Sequence, residues 1–279
     1  CRRDRRSFVG AGAGEDEVMK PYYDRDGITL YCCDNRDIDF PAADVTITDP
    51  PYAEETHAGA RREARVSEGR WLTGGNEPQQ LIDFDHISIE DLRSTFDRIG
   101  AATRRWVVSF MDWHHIYQLE QAPPIGVRFV RFGVWIKPNG APQFTGDRPG
   151  TGWEGLAIMH KEGGRMRWNG GGHHAVYACN IAHRNYKIAD NPTAKPIPLI
   201  AQLMKHYSDV GDLILDPFAG NGTTLAVAKL LGRRAVGIER NEAQCQALAK
   251  WLDEPVTTRS ARALLDEPST MFDFESEAA

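Results

Sequence analysis

Apolar and polar positions along the chain follow two alternating rhythms. Short runs rich in β-branched and aromatic residues are separated by longer segments whose apolar positions recur every three to four residues. The first kind predicts strands at Ile28 to Cys32, Val45 to Thr48, Trp106 to Phe110, Val127 to Trp135, Leu156 to His160, Asp212 to Leu215 and Ala235 to Glu239. The second predicts helices at Glu90 to Ala102, Ile197 to Tyr207, Thr223 to Leu231 and Glu242 to Trp251. Strands alternating with helices call for an α/β sheet with helices on its faces. Leu225, Ala228 and Leu231 give the third of these helices one apolar stripe, and Gly232 stands where a left-handed cap would end it.

Other stretches break the rhythm. Residues 1–20, rich in Arg, Gly and Ala, read as a flexible leader, and residues 255–279 as an acidic tail, leaving a domain over 21–254. Residues 53–80 and the stretch from 137 to 192 are polar, rich in Gly, Pro, Arg, Asn and His, and weakly periodic. Loops of this length inside a compact domain are commonly functional or disordered.

Composition narrows the class. With 41% hydrophobic and 26% charged residues in 279, the chain can bury a core. No apolar run approaches the ~20 residues of a membrane-spanning helix, and the N-terminus lacks the apolar stretch of a signal peptide. Five cysteines without a C-x-x-C suggest neither a disulfide framework nor a zinc ribbon, so a cytoplasmic, reducing setting is expected. A net charge of −6 argues against coating nucleic acid by bulk attraction. The tail, however, carries five acidic residues after Leu265 and no basic one, so the body is nearly neutral. Within it, arginines cluster at Arg61, Arg62, Arg65 and Arg70, at Arg104 and Arg105, at Arg128 and Arg131, and at Arg165 and Arg167. Each cluster is a candidate for phosphate contact, and each also reads as an ordinary solvated face.

Two motifs carry chemistry. Residues 212–224, DLILDPFAGNGTT, place a tight turn at the carboxyl end of a strand, where open α/β sheets bind ligands. The turn holds Asp216, Phe218, Gly220, Gly222 and Thr223. Leu225 stands where a dinucleotide fingerprint needs its third glycine, so the turn suits an adenosyl ligand without a pyrophosphate. Glu239, at the end of the next strand, is spaced for gripping ribose hydroxyls.

The second motif is Asp49-Pro50-Pro51-Tyr52, directly after the strand ending at Thr48. Two prolines fix φ and withdraw two backbone donors, so the chain leaves the sheet in an extended bend. The Asp49 carboxylate and the Pro50 carbonyl then stand as convergent acceptors, with the Tyr52 ring free to cover the same space. An exocyclic amine of a base fits between such acceptors. Drawing on its hydrogens favours a pyramidal nitrogen able to attack a methyl group in line.

The two motifs together resemble the β-class, circularly permuted DNA amino-methyltransferases, which act on adenine N6 or cytosine N4. Asp49 to Tyr52 is similar to their DPPY tetrad, and DPFAGNGTT to their cofactor motif. The tetrad precedes the cofactor turn, as in that class; in protein glutamine methyltransferases with a similar tetrad the order is reversed. NPTAKPIP at 191–198 resembles the H-P-T-x-K-P segment, with Asn191 in place of His. Trp135 and Lys137 resemble the W-x-K segment, and Asp34 stands where the class carries an acid near its cofactor.

The resemblance implies a Rossmann-like methyltransferase fold with a mostly parallel mixed sheet and permuted motif order. It makes 21–254 the catalytic domain, with target-recognition insertions near 53–80 and 138–190. It implies S-adenosyl-L-methionine as cofactor and double-stranded DNA as partner, and leaves open a homodimer and a companion restriction endonuclease. By the resemblance, Asp49, Pro50, Pro51 and Tyr52 are catalytic. The cofactor is held by Asp34, Thr193, Lys195, Pro196, Asp216, Phe218, Gly220, Gly222, Thr223 and Glu239. Adenine N6 is favoured because members acting on cytosine N4 more often begin the tetrad with Ser; N4-cytosine methylation is the alternative. A protein that binds cofactor and nucleic acid without turnover is a third reading, one with no need to keep Asp49.

Other candidates read blandly. His114-His115 and His173-His174 lack a metal-binding spacing and are expected on the surface or in loops. Cys32 and Cys33 are expected as core thiols. No Pro-Cys dipeptide is present, which disfavours covalent attack on cytosine carbon 5.

Overall fold

The computed structural model describes residues 19–52, 87–140, 146–181 and 194–254. Among them nine strands form one sheet: β1 (Tyr23–Arg25), β2 (Ile28–Cys32), β3 (Val45–Thr48), β4 (Trp106–Met111), β5 (Val127–Ile136), β6 (Trp153–Lys161), β7 (Val176–Ala178), β8 (Leu213–Asp216) and β9 (Arg234–Glu239). Five helices accompany them: α1 (Ile89–Ala102), α2 (Trp113–Gln121), α3 (Ile197–Tyr207), α4 (Thr223–Leu230) and α5 (Glu242–Asp253). Every strand and helix that the hydrophobic pattern predicts is present. Residues 1–18 of the leader, the tail and residues 53–80, with Arg61, Arg62, Arg65 and Arg70, lie outside the described residues.

The sheet order is β1-β2-β9-β8-β3-β4-β6-β5-β7. From β2 to β4 all neighbours run parallel, whereas β6 is antiparallel to both β4 and β5. A parallel sheet covered on both faces needs strands apolar on both sides. That is why β3 and β4 are buried at every position, with only the small polar residues Thr46, Thr48 and Ser109 among their apolar ones. One layer of the core holds Leu199, Leu203, Leu225 and Leu248 from α3, α4 and α5; the other holds Leu92, Phe96, Ile99 and Leu119 from α1 and α2.

Local signals set the helix ends. The side chains of Ser88, Asp112 and Asn241 accept the amides of Asp91, His115 and Gln244 at the starts of α1, α2 and α5. Gly232, at φ 69°, follows α4 in the left-handed conformation expected of it.

Besides a single 3-10 turn at Asn35–Asp37, three elements add to those the pattern predicts. β1 and β7 are three residues each, too short to show a period. β1 turns into β2 through Asp26-Gly27, both at positive φ, a hairpin signal lying in the sequence itself. The third is α2, whose buried residues are His115, Ile116 and Leu119, while Trp113 and Tyr117 are exposed. Within the stretch 138–190 the described residues hold β6, the strand expected at Leu156 to His160, between β4 and β5, and add β7 at the edge of the sheet.

Leu225 is fully buried between α4 and β9, against Gly237, where an added Cβ would lie 2.7 Å from its side chain. Leu225→Ala is expected to lower stability by about 2–5 kcal/mol in urea unfolding. A loss below about 1 kcal/mol would show that α4 is not clamped to the sheet there.

Candidate active site

β3 and β8 are neighbours at the point where the strand order reverses. The chain goes on from β3 to β4 on one side, and from β8 to β9 on the other. Where consecutive strands depart in opposite directions, a crevice opens beyond their carboxyl ends. Asp49 follows β3, Asp216 ends β8, and the Thr48 hydroxyl donates to Asp216 Oδ1 at 2.7 Å, tying the two ends together. A cavity of about 760 Å³ opens there.

Both motifs line it. Asp49, Pro50, Pro51 and Tyr52 line it together with Asp34, Lys195, Asp216, Phe218, Gly220, Thr223 and Glu239. Gly222 and Pro196 are not on its wall. Gly222 begins α4 at φ 73°, and an added Cβ would meet Leu248 at 2.2 Å, so only glycine fits. Pro196 is the N-cap of α3 and sets the entry of that helix just after Lys195. Thr193 lies outside the described residues.

The tetrad end is charged and tightly paired. Lys195 Nζ lies 2.5 Å from Asp49 Oδ2 and 3.3 Å from Glu154 Oε2. Tyr52 donates its hydroxyl to Glu154 Oε2 at 2.8 Å, and Lys137 donates to Glu154 Oε1 at 2.5 Å. Two lysines thus balance two carboxylates. Asp49 Oδ1, by contrast, is buried and has no hydrogen-bond partner among the described residues. A buried acceptor left without a donor is costly, and Asp49 lines the cavity.

The surroundings separate the two acids. Burial pushes Asp49 above its usual range, only partly opposed by Lys195, and the negative Glu154 adds to the rise. Burial acts on Glu154 too, but Lys195 and Lys137, with hydrogen bonds from Lys137 and Tyr52, outweigh it and hold Glu154 at about 2. Burial, with the charges of Asp49 and Glu154, keeps the Tyr52 phenol protonated well beyond its usual range.

The glycine turn forms the other end. Glu239 Oε2 accepts the Gly220 amide at 2.9 Å, and its Oε1 accepts the Asn241 amide at 2.7 Å. These bonds fix the carboxylate while leaving further lone pairs for hydroxyl donors. Phe218 donates its amide to Asp216 Oδ1 at 3.2 Å. Asn221 is only 6% exposed, lines the cavity, and has neither side-chain oxygen nor nitrogen hydrogen-bonded among the described residues. Asp34 is taken up by Arg36, whose Nε and Nη2 lie 2.9 and 2.7 Å from its oxygens. The Arg36 side chain holds Asp34 at about 2, against the opposing effect of burial.

Some site residues escaped the sequence. Glu154 is the central one: a single acid at the start of β6 carries no local signal, and its partners come from just past β5, the tetrad and the segment before α3. Asn221 lay within the glycine turn without being singled out. Two expectations are corrected. Cys32 and Cys33 are half-buried rather than core residues, since β2 ends there and the chain turns along the cavity, which Cys33 lines. His115 is 3% exposed, because it points inward from α2, with its Nδ1 3.0 Å from Asp112.

Asp216 gives a test of this electrostatic picture. Burial raises it from 3.8 to about 6, despite hydrogen bonds from Thr48, Thr224 and Phe218. A carboxyl raised in the fold favours the native state fully below its unfolded value and loses that contribution as pH climbs through about 6. Asp216→Asn cannot ionise, so between pH 4 and 7 it should gain stability relative to the parent, by up to about 3 kcal/mol at about 1.4 kcal/mol per unit. Urea unfolding across that range would contradict the assignment if the two stability profiles ran parallel.

Comparison with known proteins agrees with this geometry. The DNA methylase family model N6_N4_Mtase matches residues 43–250, well over half of the chain. The Type II methyltransferase M2.LlaDCHI of Lactococcus lactis subsp. cremoris is 25% identical over 275 residues, covering 86% of this chain and 94% of its own. Among solved structures, the M1.HpyAVI–SAM complex aligns with a TM-score of 0.58 at 22% identity, over 80% of this chain and 98% of that one. The cytosine-N4-specific PvuII DNA methyltransferase aligns with a TM-score of 0.64 at 14% identity, over 89% and 95%. Those two show the shared fold. With both motifs on one cavity and the family match spanning tetrad and cofactor turn, the chain belongs to the N6/N4 DNA methylase family, the S-adenosylmethionine-dependent DNA amino-methyltransferases.

Proposed function

We propose that this chain methylates the N6 amino group of adenine in double-stranded DNA. The observation that carries the reading is Asp49, whose buried Oδ1 has no donor among the described residues, on the wall of a cavity that Tyr52 and the glycine turn also line. A target base must leave the duplex to reach such a site, at a cost of a few kcal/mol. Stacking on Tyr52 returns roughly 1–3 kcal/mol of it. Asp49 Oδ1 and the Pro50 carbonyl then accept the two amine hydrogens, which orients the nitrogen lone pair away from the ring plane. S-adenosylmethionine supplies a methyl group on a positively charged sulfur, and transfer leaves the bonding electron pair on that sulfur. The proton released from nitrogen has a raised carboxyl beside it in Asp49.

The wall chemistry suits that cofactor. Glu239 offers fixed carboxylate lone pairs for ribose hydroxyls, Asn221 has an unused donor and acceptor, and Asp216 and Asp34 add negative charge around a cationic ligand. Phe218 on the same wall fits an adenine ring. Adenine is preferred to cytosine because Asp49 heads the tetrad, where cytosine-N4 members more often carry Ser. The name of the L. lactis relative, a Type II methyltransferase, supports a role beside a restriction endonuclease.

Incubating the protein with labelled cofactor and unmethylated DNA of high sequence complexity, then digesting to nucleosides for mass spectrometry, tests the reading. N6-methyladenine is expected. N4-methylcytosine would overturn the choice of base, and no methylated nucleoside would overturn turnover. Asp49→Ala should lower kcat ~10²–10³-fold while leaving cofactor affinity within about twofold. Unchanged kcat would remove Asp49 from the mechanism.

A further inference from the structure

We infer that Glu154 is a positioning residue for this reaction, holding Lys195 to one oxygen of Asp49 so that the other stays open for the target amine, and fixing Tyr52 through its hydroxyl. The inference rests on the role proposed for Asp49.

Lys195 sits 2.5 Å from Asp49 Oδ2, is 10% exposed, and lies over the Phe110 ring at 5.0 Å. An ammonium so placed, with three donors and one carboxylate in reach, can close on both oxygens of Asp49. Glu154 prevents this by giving Lys195 a second anion, 3.3 Å away. The same Oε2 takes the Tyr52 hydroxyl, so the stacking ring and the acceptor share one anchor.

Glu154 is itself held from its own side. It pairs with Trp135 across β5 and β6, and Lys137, two residues beyond Trp135, caps its other oxygen. Gly155 lets β6 approach closely: an added Cβ would lie 2.5 Å from Ile116 Cδ1 and 2.9 Å from the Met111 carbonyl. The chain of contacts from Lys137 through Glu154 and Lys195 to Asp49 therefore sets both geometry and charge.

Two substitutions that shift the local charge in opposite senses separate this role from mere support of the fold. Glu154→Gln keeps the side-chain size and an acceptor for Tyr52 but removes the negative charge. Lys137→Met removes a positive one. Following the Asp49 carboxyl by ¹³C NMR in the cofactor-free protein, its titration should move to lower pH in Glu154→Gln and to higher pH in Lys137→Met. In turnover, Glu154→Gln should lower kcat at least ~10-fold, with a smaller change in the KM for cofactor, and shift the acid limb of kcat downward. Adding Glu154→Gln to a Lys195→Met background should cost little more, since Lys195 is what Glu154 restrains.

Titrations that stay fixed or move in the same direction would overturn the inference, as would fully additive losses in the double variant. If Glu154→Gln does not fold, the upward shift in Lys137→Met alone decides. An inert Asp49→Ala would refute the parent reading; an impaired Asp49→Ala beside a normal Glu154→Gln would refute only this one.

Discussion

The structure depends on one adjacency: β3 and β8 lie side by side with their carboxyl ends joined by the Thr48–Asp216 hydrogen bond. The tetrad and the glycine turn are far apart in sequence, and only this pairing makes them two walls of one cavity. The bond is buried and leads into both motifs, since Asp49 follows Thr48 and the Phe218 amide binds the same Asp216 oxygen. A register slip of one residue would turn alternate side chains to the opposite face of the sheet and separate the groups that must meet.

Charge is the second constraint. Two lysines and two carboxylates share a small volume, and each depends on the others, because removing one partner of a buried pair leaves an uncompensated charge at a cost of about 3–5 kcal/mol. Both acids are buried, but Glu154 holds a low proton affinity through two lysines, whereas burial, reinforced by the negative Glu154, keeps Asp49 above its usual range. The same set of charges thus sorts one acid into an anchor and the other into an acceptor with an open oxygen.

Much of this was legible in the sequence for identifiable reasons. Parallel strands buried on both faces are rich in β-branched and other apolar residues, so β3, β4, β8 and β9 stood out, and Gly232 and the double proline marked where elements stop. The tetrad and the glycine turn were legible because proline and glycine at such positions carry backbone geometry. What escaped was set by pairing across the sheet. β1 and β7 exist through their neighbours rather than through a period of their own, and α2 exposes Trp113 and Tyr117 where an apolar stripe would have announced it. Glu154 gains its meaning only from Lys137, which the register of β5 and β6 brings to it, and from Tyr52 and Lys195, which arrive from the ends of other elements.

The most direct test of the account is a crystal structure of the protein with S-adenosylhomocysteine bound. The account predicts the ribose hydroxyls on Glu239, the adenine near Phe218, and the sulfur turned across the cavity toward the open oxygen of Asp49. A ligand seated elsewhere, or one whose sulfur faces away from Asp49, would contradict it.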